Sequence, residues 1–466
     1  MTPPGPSLLG DADVIVVGAG PAGATAATYL ADAGIDVLLL DKATFPREKV
    51  CGDGLTPRAV RELDLLGVPR DATWLKGRGL RVFGAGHRLE LPWPDGGTYP
   101  SYSLTKPRAE FDTALLSRAR EAGARVVEGA TVVGPILSPA GRVIGVEVRP
   151  PMDDDAPTAR ASAPGPRRLR AGIVLAADGA SARLAMAVGR ARRAGRPLGV
   201  AARTYFTDPV GPDHVPYMES HLDVWDGPPG RSNLLPGYGW VFPLADGRLN
   251  VGLGTVRSAS SHAPARPHAP TRARPHAPHS CQPPATASRT LPTANYRHML
   301  TSWTANIPGR TLDPANQLTK PASAALPMGV DRGPAYADGL LILGDAAGLI
   351  SPFNGEGIAH AMASGRLAAQ AVLASHACRT RAGKEQALGD YGRGLAAEVG
   401  GYFTLGRLFV ELMENPAVMR ACTRYGLGRP TLMRFTMKLL SGLYEPRGGD
   451  WMDHIIQGLV RLAPAA

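Results

Sequence analysis

Residues 13–18, DVIVVG, form a short apolar run closed by glycine, the pattern of a strand buried on both faces. The next stretch, AGATAATYLADA at 22–33, is long and rich in small residues, and it predicts a helix. IDVLLLD at 35–41 predicts a second buried strand that ends on a carboxylate. Together they make a βαβ opening. Strand-like runs recur at 124–134, 143–148 and 171–179, and the Pro-, Ala- and Asp-rich stretch 150–168 suits the tip of an extended hairpin. Residues 238–254 carry a different pattern. Tyr238, Trp240 and Phe242 alternate, Pro243 ends the run, Asp246-Gly247 turns the chain, and Gly252 and Gly254 follow at the same period. Alternate residues of a strand share a face, so this hairpin should carry an aromatic wall and a trough free of side chains. A helix is expected through 360–376, and the last 80 or so residues should be helical. There Leu432, Phe435, Leu439, Leu440 and Leu443 fall on one face, with Arg434, Lys438 and Ser441 opposite.

Between these patterns lies a stretch with none. Residues 257–289 repeat PHAP, contain four histidines and show no hydrophobic periodicity, so a disordered insert over 255–292 is expected. The histidines read as part of a solvated loop, and no metal is expected. The four cysteines are scattered without a CxxC pair, which argues against a metal knuckle, a dithiol relay or a secreted disulfide scaffold. No apolar run reaches the roughly 18 residues of a spanning helix. The N-terminal stretch has no basic region or cleavage site, so no signal peptide is expected. The net charge of +11 sits partly in the insert and partly in 420–438, which holds five basic residues and no acid. Neither region resembles a nucleic-acid-binding module, so no nucleic acid is expected. An anionic lipid surface is one use of that charge and of the 432–443 face, and packing of that helix on its own domain is the other.

GAGPAG places Gly18, Gly20 and Gly23 in G-x-G-x-x-G spacing between a strand and a helix, with Ala22 inside the turn of the motif. The glycines allow a tight turn, a close approach to a pyrophosphate and close helix–strand packing. Asp41 ends the next strand, where a carboxylate can bind a ribose diol. Two later segments end strands on Asp178-Gly179 and Gly344-Asp345, and the second continues into Pro352, Gly355 and Gly357. At these three stations the chain resembles the flavoproteins with glutathione-reductase-like FAD domains. That resemblance implies that Asp345 contacts the ribityl side and that backbone N–H groups around Gly357 and Ile358 cap the isoalloxazine. No second GxGxxG follows a strand, so electrons should come from transiently bound NAD(P)H or from a reduced electron carrier such as a redox partner protein.

Within that group the chain resembles the geranylgeranyl reductase family. FPREKVCGDGLTPRAV is similar to the family's Cys-Gly loop. YGWVFPLADGRLNVGLG fits its Tyr-x-Trp-x-Phe-Pro, eight residues, Gly-x-Gly pattern at every fixed position. CGDGLTPRAV, PGYGWVFPL and NGEGI look most like the actinobacterial enzymes that saturate one double bond of the menaquinone side chain. The resemblance implies an α/β chain with an α+β substrate domain. Its parts would be a Rossmann FAD domain of the p-hydroxybenzoate-hydroxylase type (11–75, 101–190 and 335–375), an antiparallel-sheet substrate domain (76–100 and 191–334) and a helical C-terminal region (376–466). It also implies that Cys51 and Gly52 lie against the flavin, that Arg108 contacts it and that Val132 meets adenine.

The implied substrate is a polyprenyl lipid, of menaquinone or else a geranylgeranyl group. The enzyme would sit in the cytoplasm, peripherally on the inner face of the cell membrane. Tyr238, Trp240, Phe242, Gly252 and Gly254 would line the channel. An isolated alkene does not accept hydride directly, so the expected route is protonation to a tertiary cation and hydride transfer from reduced flavin. Tyr238 and Trp240 would stabilise the cation through their faces. Cys51 would either donate the proton or only pack beside the cofactor, with Asp53 and a flavin-bound water as rival donors. The competing readings are a flavin monooxygenase of an aromatic or polyketide substrate and a non-catalytic flavoprotein.

Overall fold

The computed structural model describes residues 9–464 apart from 152–164, 209–210, 212–215, 226–230, 233, 258–292, 308–309 and 311. At its centre the strand Ala12–Val17 runs parallel to Val37–Leu40 on one side and Arg167–Ala176 on the other, so Val14 faces Val37 and Ile173. Val14, Ile15 and Val16 are fully buried because both sheet faces are covered. The sheet continues outward through Arg125–Val127 at one edge and through Leu340–Ile342 and Tyr336–Ala337 at the other. The fingerprint helix Pro21–Asp32 and the long helix Ile358–Ala377 pack on it side by side. Their alanines and glycines bring the two backbones close.

The hairpin expected around 150–168 has its arms in Val143–Arg149 and Arg167–Ala176, which pair antiparallel. Most of its tip lies outside the described residues. The disordered insert expected over 255–292 begins too early, because Thr255, Val256 and Arg257 still pair within the strand Arg248–Arg257. The remainder of that stretch is outside the described residues.

A second, seven-stranded sheet runs in the order Ala322–Pro327, Leu198–Thr207, Arg248–Arg257, Gly237–Pro243, Tyr217–His221, Gly79–Gly84, His87–Pro92. Every neighbouring pair is antiparallel except Tyr217–His221 with Gly79–Gly84. One face packs Val241, Val251 and Leu253 against Leu300 and Trp303 of the helix Thr293–Thr304. The other face carries Trp240, Phe242 and Met218 together with Met437 and Leu443 of the C-terminal region.

The C-terminal region is helical, with segments Gly401–Met413, Pro430–Leu440 and Trp451–Leu462. The amphipathic face expected from Leu432 to Leu443 is corrected here. The helix stops at Leu440, and Lys438 is buried rather than solvated. Its ammonium pairs with Asp453 at 2.7 Å and Asp450 at 3.2 Å, two residues of the capping box that starts the last helix. The exposed apolar stripe is on that last helix instead. Trp451, Ile455, Leu459 and Leu462 point outward, while Asp453, Ile456 and Gln457 point in. Among the described residues no helix is long and apolar enough to cross a membrane.

Candidate active site

A chamber of about 770 Å³ runs from the fingerprint turn, past the aromatic strand, to the helix Pro430–Leu440. Its first stretch is built by the three carboxylate stations. Gly18 has φ +102°, and a Cβ there would lie 2.3 Å from the Ala177 carbonyl oxygen. A Cβ on Gly23 would lie 1.8 Å from the Gly18 oxygen. Neither position admits a side chain. At Gly20 the neighbour is only the Arg47 guanidinium, 3.7 Å away, so that side is open to a ligand. Ala22, beside it, also lines the chamber.

The fingerprint helix starts at Gly20 with no side-chain cap, and the helix Ile358–Ala377 starts at Gly357 likewise. Gly20, Gly357 and Ile358 all line the chamber. Two sets of uncapped N–H groups with positive dipole ends therefore open toward it. Arg47 adds a charge beside the first set.

Asp41 is held in place by accepting from Ala19 N and Ala43 N, each at 2.8 Å. Its remaining lone pairs are available to a diol. Asp178 accepts from Leu184 N through Oδ2, but its Oδ1 is buried without a partner, and burial raises this carboxyl above the ordinary range. An orphaned buried acceptor beside two open helix ends implies a polar ligand. Asp345 faces Lys49 Nζ at 3.7 Å, and Val132 lines the chamber from the strand Thr131–Leu137. A dinucleotide with a diol and a pyrophosphate fits this donor and acceptor set, and FAD is such a group.

Arg108 lines the chamber at the head of its helix, and its buried guanidinium is held bidentate by Asp112 at 2.9 and 2.7 Å. Burial would lower its pKa, but Asp112 and then Cys51 outweigh that and hold it charged.

The second stretch of the chamber is the aromatic wall. Tyr238 and Trp240 have ring centroids 6.1 Å apart, and Trp240 and Phe242 6.3 Å. All three line the chamber. The expected trough is corrected at Gly252. That residue lies directly across from Trp240, and a Cβ on it would be 2.2 Å from the indole. Gly252 seats the ring and is shielded from the chamber by it, whereas Gly254 does line the chamber.

A buried polar chain fixes this wall to the cysteine loop. Trp240 Nε1 donates to Asn250 Oδ1 at 2.9 Å. Asn250 Nδ2 donates to the Cys51 carbonyl at 2.9 Å and to Asp53 Oδ2 at 2.7 Å. Tyr205 OH donates to the same Asp53 oxygen at 2.6 Å, and Arg108 N donates to Asp53 Oδ1 at 3.1 Å. Gly52 lies against Trp240 and Phe242, where a Cβ would sit 3.2 Å from the indole nitrogen. Asp53 is thus buried behind the wall rather than lining the chamber, and burial raises its carboxyl against the pull of the Tyr205 and Asn250 hydrogen bonds. Cys51 lines the chamber, with Asp53 N donating to its Sγ at 3.4 Å.

Sequence reasoning missed Arg47 and Lys49, which stand in the same FPREKVCGDGLTPRAV stretch as the Cys-Gly loop. It also missed Asn250, whose only signal was a lone amide in an apolar strand. Glu356 was missed because NGEGI was read for its glycines. The Met433, Met437 and Leu440 side of the chamber had no local signal, since it depends on where the C-terminal helices fold back.

A model of the FAD binding domain matches residues 11–217. The menaquinone reductase of Mycolicibacterium smegmatis is 33% identical over 449 residues, covering 95% of each chain. Digeranylgeranylglycerophospholipid reductase 1 of Methanopyrus kandleri is 30% identical over 386 residues, covering 78% of this chain and 80% of its own. The crystal structure of a geranylgeranyl bacteriochlorophyll reductase-like protein from Thermoplasma acidophilum superposes with TM-score 0.69 at 21% identity, covering 97% of this chain and 99% of that one, which shows the shared fold. Cradle, motif pattern and full-length similarity agree: the chain belongs to the geranylgeranyl reductase family of FAD-dependent oxidoreductases.

Proposed function

We propose that the protein saturates an isolated C=C bond of a polyprenyl chain, with the side chain of menaquinone as its substrate. The observation that supports this most directly is the continuity of the chamber. One apolar space joins the dinucleotide cradle to the Tyr238–Trp240–Phe242 wall. An isoprenoid is a branched apolar ribbon, and burying one five-carbon unit is worth roughly 2–3 kcal/mol at about 25 cal/mol per Å². The menaquinone assignment rests on the similarity to the mycobacterial enzyme along 95% of both chains.

Gly18, Gly20, Ala22 and Gly23 with Arg47 would hold the FAD pyrophosphate, Asp41 the ribose, and Asp345, Gly357 and Ile358 the ring side. Bound reduced flavin supplies a hydride equivalent. The chain's own contribution is to place the alkene beside the indole and phenol faces, to exclude water and to deliver a proton. Burial, and then Glu356 and Cys51, raise the Tyr238 phenol, so it stays neutral, and its OH donates to the Asn354 carbonyl at 2.6 Å. A neutral aromatic face beside a developing tertiary cation lowers its energy. The electrons are supplied by NAD(P)H in a transient encounter or by a reduced carrier protein.

We also infer that the protein works at the cytoplasmic face of the cell membrane. The outward stripe Trp451–Leu462 and the exposed Arg420, Arg424, Arg429 and Arg434 support contact with an anionic bilayer. The lipid would enter past the helix Pro430–Leu440, whose Met433 and Met437 line the chamber.

Mass spectrometry of lipids after deletion of the gene tests the assignment. Menaquinone should gain one double bond in its tail, with other lipids unchanged, and reintroducing the gene should restore it. An unaltered quinone profile would refute the menaquinone assignment. Purified holoenzyme should saturate the tail without oxygen; substrate-dependent oxygen uptake would instead identify a monooxygenase.

A further inference from the structure

Glu356 stands where the two stretches of the chamber meet. It lines the chamber together with Tyr238 and Trp240. Two residues before it, the Asn354 carbonyl accepts the Tyr238 phenol. One residue after it, Gly357 opens the helix whose N–H groups face the cofactor stretch. The Thr56 hydroxyl donates to its Oε1. Its surface exposure is partial, and that exposure is to a cavity which a lipid tail would fill and dry.

We infer that Glu356 is the catalytic acid that delivers the proton to the alkene. This rests on the reading of the protein as a prenyl-chain reductase. The π pair of the alkene takes the carboxyl proton at the less substituted carbon, forming one C–H bond and leaving the charge on the tertiary carbon. The tertiary carbon then accepts the hydride equivalent of reduced flavin, forming the second C–H bond. Glu356 is left as a carboxylate and is reprotonated from water once product leaves. One alkene, one proton and one hydride give one saturated unit.

The surroundings suit that role. Burial pushes the Glu356 carboxyl up to about 7, against the downward pull of the Thr56 hydroxyl and the Arg58 charge. It can therefore hold a proton near neutral pH and still release it. The ionisable groups facing it are Arg58 from the helix Pro57–Leu66, Tyr238 from the aromatic strand and Tyr402 from the helix Gly401–Met413. Arg58 is partly neutralised by Glu398 at 2.9 Å, and both phenols are raised by burial and stay neutral. Asp53 is sealed by four hydrogen bonds from Arg108 N, Tyr205, Asn250 and, through its backbone oxygen, Lys106 N. Asp53 is also raised by burial but lies behind the wall, so among the described residues Glu356 is the carboxyl that lines the chamber beside Tyr238 and Trp240.

The test uses holoenzyme and menaquinone with an unsaturated tail, under anaerobic conditions. Glu356→Gln should bind FAD at the wild-type ratio and accept electrons from dithionite. Its reduced flavin should then be reoxidised by the substrate at least about 100-fold more slowly. The wild-type rate should fall as pH rises through about 7, and the variant should lose that dependence. Infrared spectra should show a protonated carboxyl titrating in that range in wild type and absent from Glu356→Gln. Glu356→Asp, which keeps an acid at a shorter reach, should recover part of the rate with its pH dependence. A Glu356→Gln enzyme as fast as wild type, or one that keeps the titrating carboxyl band, would overturn the inference alone. A wild-type enzyme that cannot pass electrons to any prenyl tail would overturn it together with the functional reading.

Discussion

At the scale of single residues, the site depends on a few side chains that each serve two surfaces. Asn250 spends its carbonyl on Trp240 and both amide hydrogens on the cysteine loop, so the wall and the loop share one anchor. Trp240 in turn needs the space that Gly252 leaves. Gly252→Ala would drive a methyl into the indole and toward the Ala202 carbonyl, 2.6 Å away. Overpacking of this kind costs about 1–3 kcal/mol, and a denaturant melt should show it together with a change in Trp emission. Glu356 makes a separate prediction. A carboxyl whose folded pKa is raised from 4.5 to about 7 binds more protons folded than unfolded between those values. Its contribution to stability is present below pH 4.5 and is lost as pH rises through about 7. Melts of wild type and Glu356→Gln across that window should diverge in slope, with the wild type losing more. The dinucleotide turn was readable from sequence because Gly18, Gly20 and Gly23 fall within one short motif, even though the carbonyl that presses on Gly18 belongs to the distant Ala177. Glu356 was not, because its environment is set by Thr56 and Arg58, some 300 positions away.

At the scale of elements, two helices open their ends toward the cofactor space and the last helix carries the proposed membrane contact. The helices starting at Gly20 and Gly357 leave their first N–H groups uncapped and aim them into one space, a use of helix ends that costs stability unless an anion or acceptor arrives. The last helix places Trp451, Ile455, Leu459 and Leu462 on the side away from its packed residues. Trp451→Glu with Leu459→Glu should leave the melting temperature close to wild type, since both side chains are exposed, and should sharply reduce co-sedimentation with vesicles rich in anionic lipid. Equal sedimentation would remove this helix from the membrane contact. Strand alternation made the Tyr238, Trp240, Phe242 face legible in advance. The face assigned to Leu432–Leu443 failed because periodicity registers apolar spacing and not partners: Asp450 and Asp453 reach back and draw Lys438 inside.

For the whole molecule, the chamber wall is assembled from residues between Val17 and Ser441, so cofactor, sheet and C-terminal helices are parts of one site. A ligand that binds only the folded form stabilises it by RT ln(1 + [L]/Kd), about 2.7 kcal/mol at a hundredfold excess over Kd. Apo-protein should therefore melt lower than holoprotein, and added FAD should raise the midpoint with concentration; a midpoint indifferent to FAD would contradict the cradle. This closure around one space was the least legible feature in the sequence, because no local pattern states which helix will roof a distant sheet.

The two sides of that space are unequal. The β side is locked, with its indole wedged on Gly252 and tied through Asn250 to the cysteine loop. The α side offers Met433, Thr436, Met437 and Leu440, with two methionines whose unbranched, polarisable chains adapt to irregular shapes. Anyone re-engineering the protein for a longer, shorter or more branched tail has one adjustable flank. Variation among natural versions with different lipid preferences should gather on that flank too, leaving the opposite strand nearly unchanged.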